Sequence, residues 1–441
     1  MLNVTTSAQS KSTEKLSSGY KINRAADDAA GLSISEKMRK QIKGLDKASS
    51  NAQDGVSAVQ TAEGALTEVH SMLQRMNELA TQAANGTNSE SDRSSIQDEI
   101  DQLTTEIDRV SETTKFNETY LLKGQSGTTN KYMAAHDAGF DGTLVDGDTK
   151  ATFTMKIKAG ESLKIGGTNY DIYATGSGVS DLQDKVRKLT ANQEVTIDGT
   201  KYTVVDKAGV DEKANKLEAT TIAAKIQAGS TVNLTPADAS KAVKAVDTSK
   251  PTSIDVATAT QKVTAELQAA NDIGAADGKS TVTAGTATAD GTIEFAIQKG
   301  HASVANTLSF NLHVGADADS TNKITVNIDS MSTAGLGIKG LNVKDSTGTA
   351  ATYAIDAIAD AISTVSSQRS SLGAVQNRLE HTINNLDNVS ENTTSAESRI
   401  RDTDMAKEMV NYSKNNILAQ AGQSMLAQAN QSNQGVLSLL Q

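Results

Sequence analysis

Residues 38–76 read MRKQIKGLDKASSNAQDGVSAVQTAEGALTEVHSMLQRM, and their apolar side chains recur at alternating steps of three and four residues. This spacing is a heptad stripe, which is typical of a helix that packs along another helix. Ser49 and Glu63 occupy two places of the pattern without an apolar side chain. Because no proline interrupts residues 30–84, the sequence predicts one very long helix there. The stripe consists of Met38, Ile42, Leu45, Ala52, Val56, Val59, Leu66, Val69, Leu73 and Met76.

A turn and a second, shorter stripe follow the long helix. The segment Asn85-Gly86-Thr87-Asn88 supplies a helix stop and a turn. We therefore expect the chain to reverse and to form a shorter helix that packs antiparallel on the first. The apolar positions of the second stripe are Ile96, Ile100, Leu103, Ile107 and Val110.

The C-terminal part of the chain repeats this pattern. A three-four stripe follows Asp345, and beyond Arg399 a further helical stretch ends in the apolar tail 436–441, VLSLLQ. A helix with one apolar stripe cannot bury it alone. We therefore expect the helices of the two ends to pair with each other, and the tail to lack a fixed structure in the free chain. The stripe comprises Ile355, Ile358, Ile362, Val365, Leu372, Val375, Leu379, Leu386 and Val389.

The middle of the chain has a different composition. Between about residue 124 and about residue 345 it is rich in Gly, Thr, Asp, Asn and Val, with alternating runs such as FTMKI at 153–157 and LSFNL at 308–312. A period of two indicates half-buried strands. The predicted fold class is therefore mainly α at the two termini, with an α+β, strand-rich central insertion.

Two details subdivide this insertion. Asp198-Gly199 stands between two short alternating runs and predicts a β-hairpin. A short helix on the same module is indicated by Leu182, Val186 and Leu189. A polar passage at 236–251, bracketed by two prolines, predicts a boundary between two insertion subdomains.

The amino-acid composition excludes several classes of site and of partner. The chain has 441 residues, a formal net charge of -11, 3% aromatic residues and no cysteine. The lack of cysteine excludes disulfides, zinc–thiolate sites and cysteine nucleophiles, and the acidic balance argues against a nucleic-acid partner. No stretch approaches the roughly 20 apolar residues that span a bilayer, and the N-terminus lacks the layout of a cleaved signal peptide. We therefore expect no membrane span, and any export to proceed without a cleaved signal.

Three sequence patterns that suggest a binding or catalytic site lack the surrounding residues that such a site requires. Gly335-Leu336-Gly337-Ile338-Lys339-Gly340 matches a dinucleotide-binding glycine pattern, but no helical period follows it. Residues 317–328 begin like a calcium loop but have Asn322 and Ile328 where that loop needs Gly and Glu, so a turn between strands is favoured. Histidines are scattered singly, and no serine lies in a catalytic motif. We expect neither a cofactor, nor a metal, nor an enzymatic activity.

Asp27 and Asp28 precede the predicted start of the long helix. Carboxylates at this position can cap backbone amides and favour the positive end of the helix dipole. Arg24 can also organise the turn by pairing with one of these carboxylates.

The residues around this turn closely resemble a signature near the start of bacterial flagellins. The signature is LSSGYKINRAADDAAG at 16–31, and the resemblance continues through NAQDG at 51–55, LQRMNELA at 73–80 and QDEI at 97–100. At the other end, AESRIRDTDMA at 396–406 and QSMLAQAN at 423–430 resemble the C-terminal helix of flagellins. The resemblance covers about half of the chain, all of it at the two ends.

This resemblance implies a self-assembling subunit of the flagellar filament. It implies that 1–29 and 400–441 form a terminal coiled coil lining an inner tube, that 30–124 and 301–399 form a helical outer-tube domain, and that 125–300 projects outward. It further implies an extracellular location and, as partners, further copies of the chain, an export chaperone, the cap and hook–filament junction proteins, and the Toll-like receptor that senses flagellin. The alternatives are a hook–filament junction protein and a monomeric adhesin with flagellin-like ends.

The chain departs from the family pattern at its N-terminus. Flagellins carry a further apolar helical segment before the part that matches residues 7–19, and this sequence is shorter by about four helical turns. We therefore expect the inner coiled coil to lack part of one strand.

Two sets of residues carry the expected contacts. The receptor set is implied by the resemblance, and three of its residues, Arg75, Leu79 and Gln82, fall on a common side of the long helix. Leu79 is expected to be partly exposed because it stands just off the heptad seam. The receptor set comprises Gln74, Arg75, Leu79, Gln82 and Glu99. The assembly set comprises Leu16, Ile22, Ile417, Met425, Val436, Leu437, Leu439 and Leu440.

Overall fold

The computed structural model describes residues 2–174, 176–236, 242–247, 250–288, 290–345 and 347–439. Long helices occupy both ends of the chain and a strand-rich region lies between them, as the sequence predicts. The helices are α1 (Leu2–Ser18), α2 (Ala29–Ala83), α3 (Glu90–Thr113), α4 (Val179–Arg187), α5 (Ala219–Ala224), α6 (Val256–Asn271), α7 (Thr333–Leu336), α8 (Thr349–Arg401) and α9 (Met405–Leu439).

The strands fall into small sheets rather than one large one. A two-stranded pair is formed by β1 (Lys115–Phe116) and β2 (Thr119–Tyr120), another by β3 (Gln125–Tyr132) and β16 (His301–Asn306), and a third by β17 (Leu308–His313) and β18 (Lys323–Ile328). The largest sheets are ordered β14-β15-β5-β4, β13-β7-β6 and β10-β9-β8-β11-β12. Their strands are β4 (Thr143–Asp146), β5 (Lys150–Lys156), β6 (Ser162–Ile165), β7 (Thr168–Tyr173), β8 (Glu194–Ile197), β9 (Thr200–Val204), β10 (Lys216–Leu217), β11 (Thr231–Asn233), β12 (Val243–Lys244), β13 (Ser253–Asp255), β14 (Thr281–Ala284) and β15 (Thr292–Gln298).

The two polar places in the heptad stripe of α2 have partners on α8. The hydroxyl of Ser49, which is buried, donates to Asp387 Oδ1 at 2.8 Å. Further along, Glu63 lies 3.8 Å from the guanidinium of Arg369. Since a buried polar group is costly without a partner, the contact of Ser49 favours one axial register of α8 along α2 in the first unit.

The turn between α2 and α3 is closed by a capping box. Ser89 Oγ accepts from the backbone N–H of Asp92, whose carboxylate accepts in return from the backbone N–H of Ser89. The buried guanidinium of Arg93 donates to the Ala83 carbonyl at 2.9 Å, which satisfies one of the last carbonyls of α2. The predicted antiparallel return of the chain is therefore confirmed.

The chain divides into two compact units, and the division falls inside both long helices. One unit contains residues 1–60, 309–326 and 371–441, and the other contains residues 61–308 and 327–370. In the first unit, the β17–β18 hairpin lies on α2. A side chain at Gly55 would place its Cβ 2.2 Å from Leu312 Cδ1, and a Cβ at Gly44 would lie 3.0 Å from that of Ala316. These two glycines let the hairpin approach the helix closely.

Two of the separate apolar clusters of the second unit lie in its strand-rich region, and both include residues of helices. One surrounds Phe153 and Phe295, which face each other on β5 and β15, and includes buried residues of α6. The other is formed by residues 179–245 alone and includes Val195 and Ile222. The predicted hairpin at Asp198-Gly199 is confirmed as β8–β9, and the predicted short helix is α4. Residues 237–241 and 248–249, within the predicted subdomain boundary, lie outside the described residues.

We expect Gly55→Ala to destabilise the first unit, although alanine normally favours a helix interior. The new methyl group would overlap Leu312, and overpacking of this kind costs about 1 to 3 kcal/mol. The matched control is Gly64→Ala on the same helix, where no atom lies within 4 Å of the added Cβ. This change should stabilise the protein by up to about 1 kcal/mol. Denaturant unfolding of both variants measures the difference, and equal stabilisation by both would contradict the close approach.

Candidate functional site

The two ends of the chain meet where α1 joins α2 and α8 joins α9. The backbone N–H of Lys21 donates to the Arg401 carbonyl at 2.6 Å, and that of Thr403 donates to the Gly19 carbonyl at 3.0 Å. Gly19 has a φ of +76°, a conformation that favours glycine. This terminal junction places α1 along α9, and the two helices pack against each other.

Arg401 is the central side chain of the terminal junction. Its guanidinium lies 4.6 Å from the ring centroid of Tyr20, a cation–π distance. It also lies 3.0 Å from a carboxylate oxygen of Glu36 and 3.9 Å from one of Glu397. Ser35 on α2 donates its hydroxyl hydrogen to Glu397 at 2.6 Å. Arg401 therefore links α8 both to α2 and to the turn that follows α1.

The predicted capping of the start of α2 is confirmed for Asp28 but not for Asp27, which closes the preceding turn together with Arg24. Asp28 accepts from the backbone N–H of Gly31, and Asp27 accepts from the backbone N–H groups of Asn23 and Arg24. The side chain of Arg24 instead reaches Glu14 on α1 at 2.9 Å. Arg24 therefore pairs with Asp27 in this turn, as expected, but through its backbone amide, while its guanidinium pairs with Glu14.

The helix α9 keeps its apolar side chains in solvent although it is paired with α1. Ile417 is 67% exposed and Met425 is 68% exposed. Of the other residues of the assembly set, Leu16 is half-buried and Ile22 is buried at the junction. Val436, Leu437 and Leu439 lie on the last turns of α9, and Leu440 lies outside the described residues. The expected lack of fixed structure in this tail is not what the structure shows, since α9 is helical to Leu439.

The receptor set is centred on an ion pair between α2 and α3. Arg75 Nε lies 2.8 Å from a carboxylate oxygen of Glu99, and Arg75 Nη1 lies 3.2 Å from one of Glu78. The hydrogen bond that Arg75 donates to Glu99, followed by the one it donates to Glu78, raises the pKa of the Arg75 guanidinium. Gln74 and Gln82 are exposed on the same helix. The structure thus brings Arg75 and Glu99 together on an exposed surface.

Leu79 is the exception in this set. It is only 2% exposed, so the expected partial exposure is wrong. The expectation considered a single helical seam, but α2 contacts both α3 and α8 in this unit, through the Arg75–Glu99 and Glu63–Arg369 pairs. A helix with two partners buries a wider apolar arc than a two-helix seam does.

The rejected motifs occupy ordinary structural positions. Gly335 lies within α7 and Gly337 ends that helix with a φ of +75°, so the glycine run does not open a helix after a strand. The calcium-like stretch comprises part of the turn between β17 and β18 and the whole of β18. A cavity of about 360 Å³ in the second unit has two lysines in its lining, but Lys131 donates to the Gly335 carbonyl and Lys299 pairs with Asp146. In the described part of the chain, no group of three or more acidic or histidine side chains is placed to hold a metal.

Comparison with known proteins places this architecture in a family. A family model of the bacterial flagellin N-terminal helical region matches residues 1–127, and one of the C-terminal helical region matches residues 355–440. A flagellin of Clostridium tyrobutyricum is 43% identical over 441 residues, which covers 98% of this chain and 96% of that relative. The chain belongs to the bacterial flagellin family. A Bacillus subtilis flagellin is 37% identical over 436 residues, covering 98% of this chain and 93% of that relative.

Membership of the flagellin family makes the chain a structural subunit of the flagellar filament, which serves motility. Among solved structures, FliC from Burkholderia pseudomallei is 21% identical, covers 74% of this chain and 99% of its own, and has a TM-score of 0.26. The junction protein FlgL from Legionella pneumophila is 15% identical, covers 78% and 99%, and has a TM-score of 0.30. No helix in the described ranges combines the length and the apolarity needed to cross a membrane.

Sequence reasoning did not identify Arg401 as the centre of the junction. The residue falls within a matched flagellin motif, but nothing in the spacing of the motif shows that its side chain lies over Tyr20 and reaches Glu36. The role of Gly44 and Gly55 was also missed. Their spacing of eleven residues, which places both on one face of a helix, is the signal that could have revealed a close contact.

We expect the terminal junction to weaken in acid. The pKa of Asp27 is lowered chiefly by the hydrogen bond from the backbone amide of Arg24, and further by the backbone amide of Asn23 and by Lys11. A carboxylate with a lowered pKa stabilises the fold above its unfolded pKa, and this contribution is lost as the pH falls below about 4. Unfolding of the first unit followed between pH 7 and pH 2 should therefore be less pH-dependent in Asp27→Asn. Asp54→Asn, an exposed change on α2, is the control, and an unchanged pH profile in Asp27→Asn would contradict this role.

Proposed function

We propose that this flagellin polymerises through α1 and α9. The observation that carries the proposal is the row of solvent-exposed apolar side chains on α9, which remains exposed although the helix already packs on α1. A large exposed apolar surface indicates a contact with another protein. The exposed residues are Met405, Met409, Val410, Ile417, Leu418, Met425 and Leu426.

In a filament, further copies of the same chain would cover this exposed apolar surface of α9. A contact between different surfaces of identical subunits repeats without closing when its rotation does not form a ring, and it then gives an open helical polymer. We assign 1–29 and 400–441 to an inner tube, 30–124 and 301–399 to an outer tube, and 125–300 to the outer surface. The division of composition between helical ends and a polar, strand-rich middle supports this assignment.

The terminal junction gives this proposal a structural basis within the subunit. Because the turn after α1 is hydrogen-bonded to the turn after α8, the two assembling helices leave the subunit at the same place. Ile22, which is buried there, contributes by holding the junction rather than by touching a neighbouring subunit.

A hook–filament junction protein or a monomeric adhesin is the alternative. Relatives that match over nearly their whole length are flagellins, which favours the filament subunit. The proposal also includes an extracellular location reached without a cleaved signal peptide and the lack of an enzymatic activity. It further includes contacts with an export chaperone and with cap and junction proteins.

Recognition by the Toll-like receptor that senses flagellin is a further part of the proposal. It is supported by the exposed Arg75–Glu99 pair with Gln74 and Gln82 nearby on α2. A charged guanidinium held by two carboxylates is a preorganised contact, and arginine is enriched among the residues that dominate binding energies. Leu79 supports this surface from beneath, since it is buried.

We expect the double variant Ile417→Asp and Met425→Asp to abolish filament formation. Both side chains are exposed in the free subunit, so the helix content of the monomer should not change, whereas buried carboxylates in the polymer would be costly. Electron microscopy and sedimentation after salting out measure the loss. Ala257→Asp with Ala265→Asp, two exposed positions on α6, is the matched control and should polymerise like the parent. Normal filaments from the α9 variant would refute the role of this face.

We expect Arg75→Ala to weaken binding to the receptor ectodomain by about 1 to 3 kcal/mol, without loss of helix content. Arg109→Ala is the control, because Arg109 is also exposed on a helix and paired with a glutamate three residues away. Equal binding by the parent and both variants in a titration would contradict the assignment. Leu79→Ala is unsuitable as a binding test, since emptying a buried leucine site costs about 2 to 5 kcal/mol of stability.

A further inference from the structure

One short sequence pattern occurs twice in the central region. Residues 163–172 read LKIGGTNYDI and residues 195–204 read VTIDGTKYTV. The two segments share Ile, Gly, Thr and Tyr at equivalent positions, and their first and last residues are both aliphatic. Each segment contains an alternating strand, two turn residues and a second alternating strand.

The structure gives the two segments the same hairpin. In β6–β7, Ile165 pairs with Thr168 and Leu163 pairs with Tyr170. The β8–β9 hairpin pairs Ile197 with Thr200 and Val195 with Tyr202, which is the equivalent register. Both turns have two residues with positive φ: 55° and 81° at Gly166 and Gly167, and 51° and 79° at Asp198 and Gly199. The turn geometry and the strand register are therefore repeated together.

A third strand and a helix also recur with the same spacing. Ile254 of β13 pairs in parallel with Ile172, and Leu217 of β10 pairs in parallel with Val204, the equivalent residue of the second hairpin. An acidic N-cap residue directly follows Ile254 and Leu217 in each case, and a helix begins directly after it. Counted from the strand residue, the buried positions are the same: Ala259 and Val263 after Ile254, and Ile222 and Ile226 after Leu217, although α5 ends at Ala224, before Ile226.

A side-chain contact between hairpin and helix recurs as well. Lys262 Nζ lies 5.1 Å from the centroid of the Tyr170 ring. Lys225 Nζ lies 5.8 Å from that of the Tyr202 ring. The two lysines hold equivalent positions after Ile254 and Leu217. A match of register, turn, spacing and cation–π contact is unexpected for two unrelated hairpins.

We infer that the central region contains one hairpin–strand–helix unit twice, and that the second copy is nested inside the first. The outer copy consists of 162–173 and 253–271, and the inner copy consists of 194–204 and 216–226. The whole inner copy lies in the crossover that joins the second hairpin strand of the outer copy to its third strand. In the inner copy the equivalent crossover is short and runs from residue 205 to residue 215.

The geometry of the outer crossover explains how it accommodates a folded insertion. The chain enters and leaves the inner region side by side, since Val179 N–H donates to the Val246 carbonyl at 2.9 Å and Val246 N–H donates to the Ser177 carbonyl at 3.0 Å. The apolar cluster of the inner region draws only on residues 179–245, and the outer cluster uses none of them. The inner crossover is thus the equivalent insertion point of the second copy, and residues 206–214 within it are exposed.

A segment exchange in the full chain tests the equivalence. Replacing residues 163–172 by VTIDGTKYTV keeps an aliphatic residue or tyrosine at each inward position, so hydrogen-exchange protection of this segment should remain within about tenfold of the parent. The matched control places EVTIDGTKYT, the same sequence shifted by one residue, at the same positions. The shift turns polar side chains inward, and protection should be lost. Loss of protection in both variants, or retention in both, overturns the inference.

A second variant tests the insertion point independently of the hairpin exchange. A further copy of residues 178–246 inserted between Ala208 and Gly209 should leave the protection of β8 and β9 within about tenfold of the parent. The same insertion between Asp198 and Gly199 interrupts the two-residue turn and should remove that protection. Loss at the first position as well overturns the nested arrangement. Neither experiment depends on whether the chain forms filaments.

Discussion

The fold depends on a helix that cannot bury its own apolar stripe. The helix α2 has 55 residues, and its buried positions are largely alanine, leucine and valine, in a chain with 3% aromatic residues. Small buried side chains such as Ala52 and Ala62 permit close helix packing, but they offer little area each. Burial of this stripe therefore depends on partner helices such as α8, which contacts α2 through Ser49 in the first unit and Glu63 in the second. The strand-rich region has compact apolar clusters of its own.

The sequence predicted the helical ends well because their signal is local and repeats many times. The heptad stripe placed the first long helix at residues 30–84, and the structure has it at Ala29–Ala83. The turn at residues 85–88 and the hairpin at Asp198-Gly199 were also predicted, since their residue types fit only a few backbone conformations. The apolar residues Ile417 and Met425 of α9, for which the sequence offers no partner, are exposed in the structure.

The errors concern contacts that join distant parts of the chain. Leu79 is buried because two helices, not one, cover that arc of α2. The guanidinium of Arg24 pairs with Glu14 on α1, a contact that no pattern around residue 24 reports. The parallel pairing of Ile254 with Ile172 joins strands separated by a whole folded region, and no local pattern reports such a pairing. Periodicity shows that a segment has an apolar face, whereas the identity of its partner depends on the rest of the fold.

Gln125 and Asn306 are paired at the ends of β3 and β16. This pairing lowers the entropy cost of bringing the two ends of the chain together. Ser35 must find Glu397 across 362 residues before the first unit can form. Once the region between β3 and β16 has folded, its two ends lie side by side. The residues of this region, about half of those that separate Ser35 from Glu397, then no longer add to the length of the loop that must close. Because the closure cost grows only with the logarithm of loop length, a doubling adds about 0.6 kcal/mol. The pairing of the long helices is therefore almost indifferent to how many residues the central region contains.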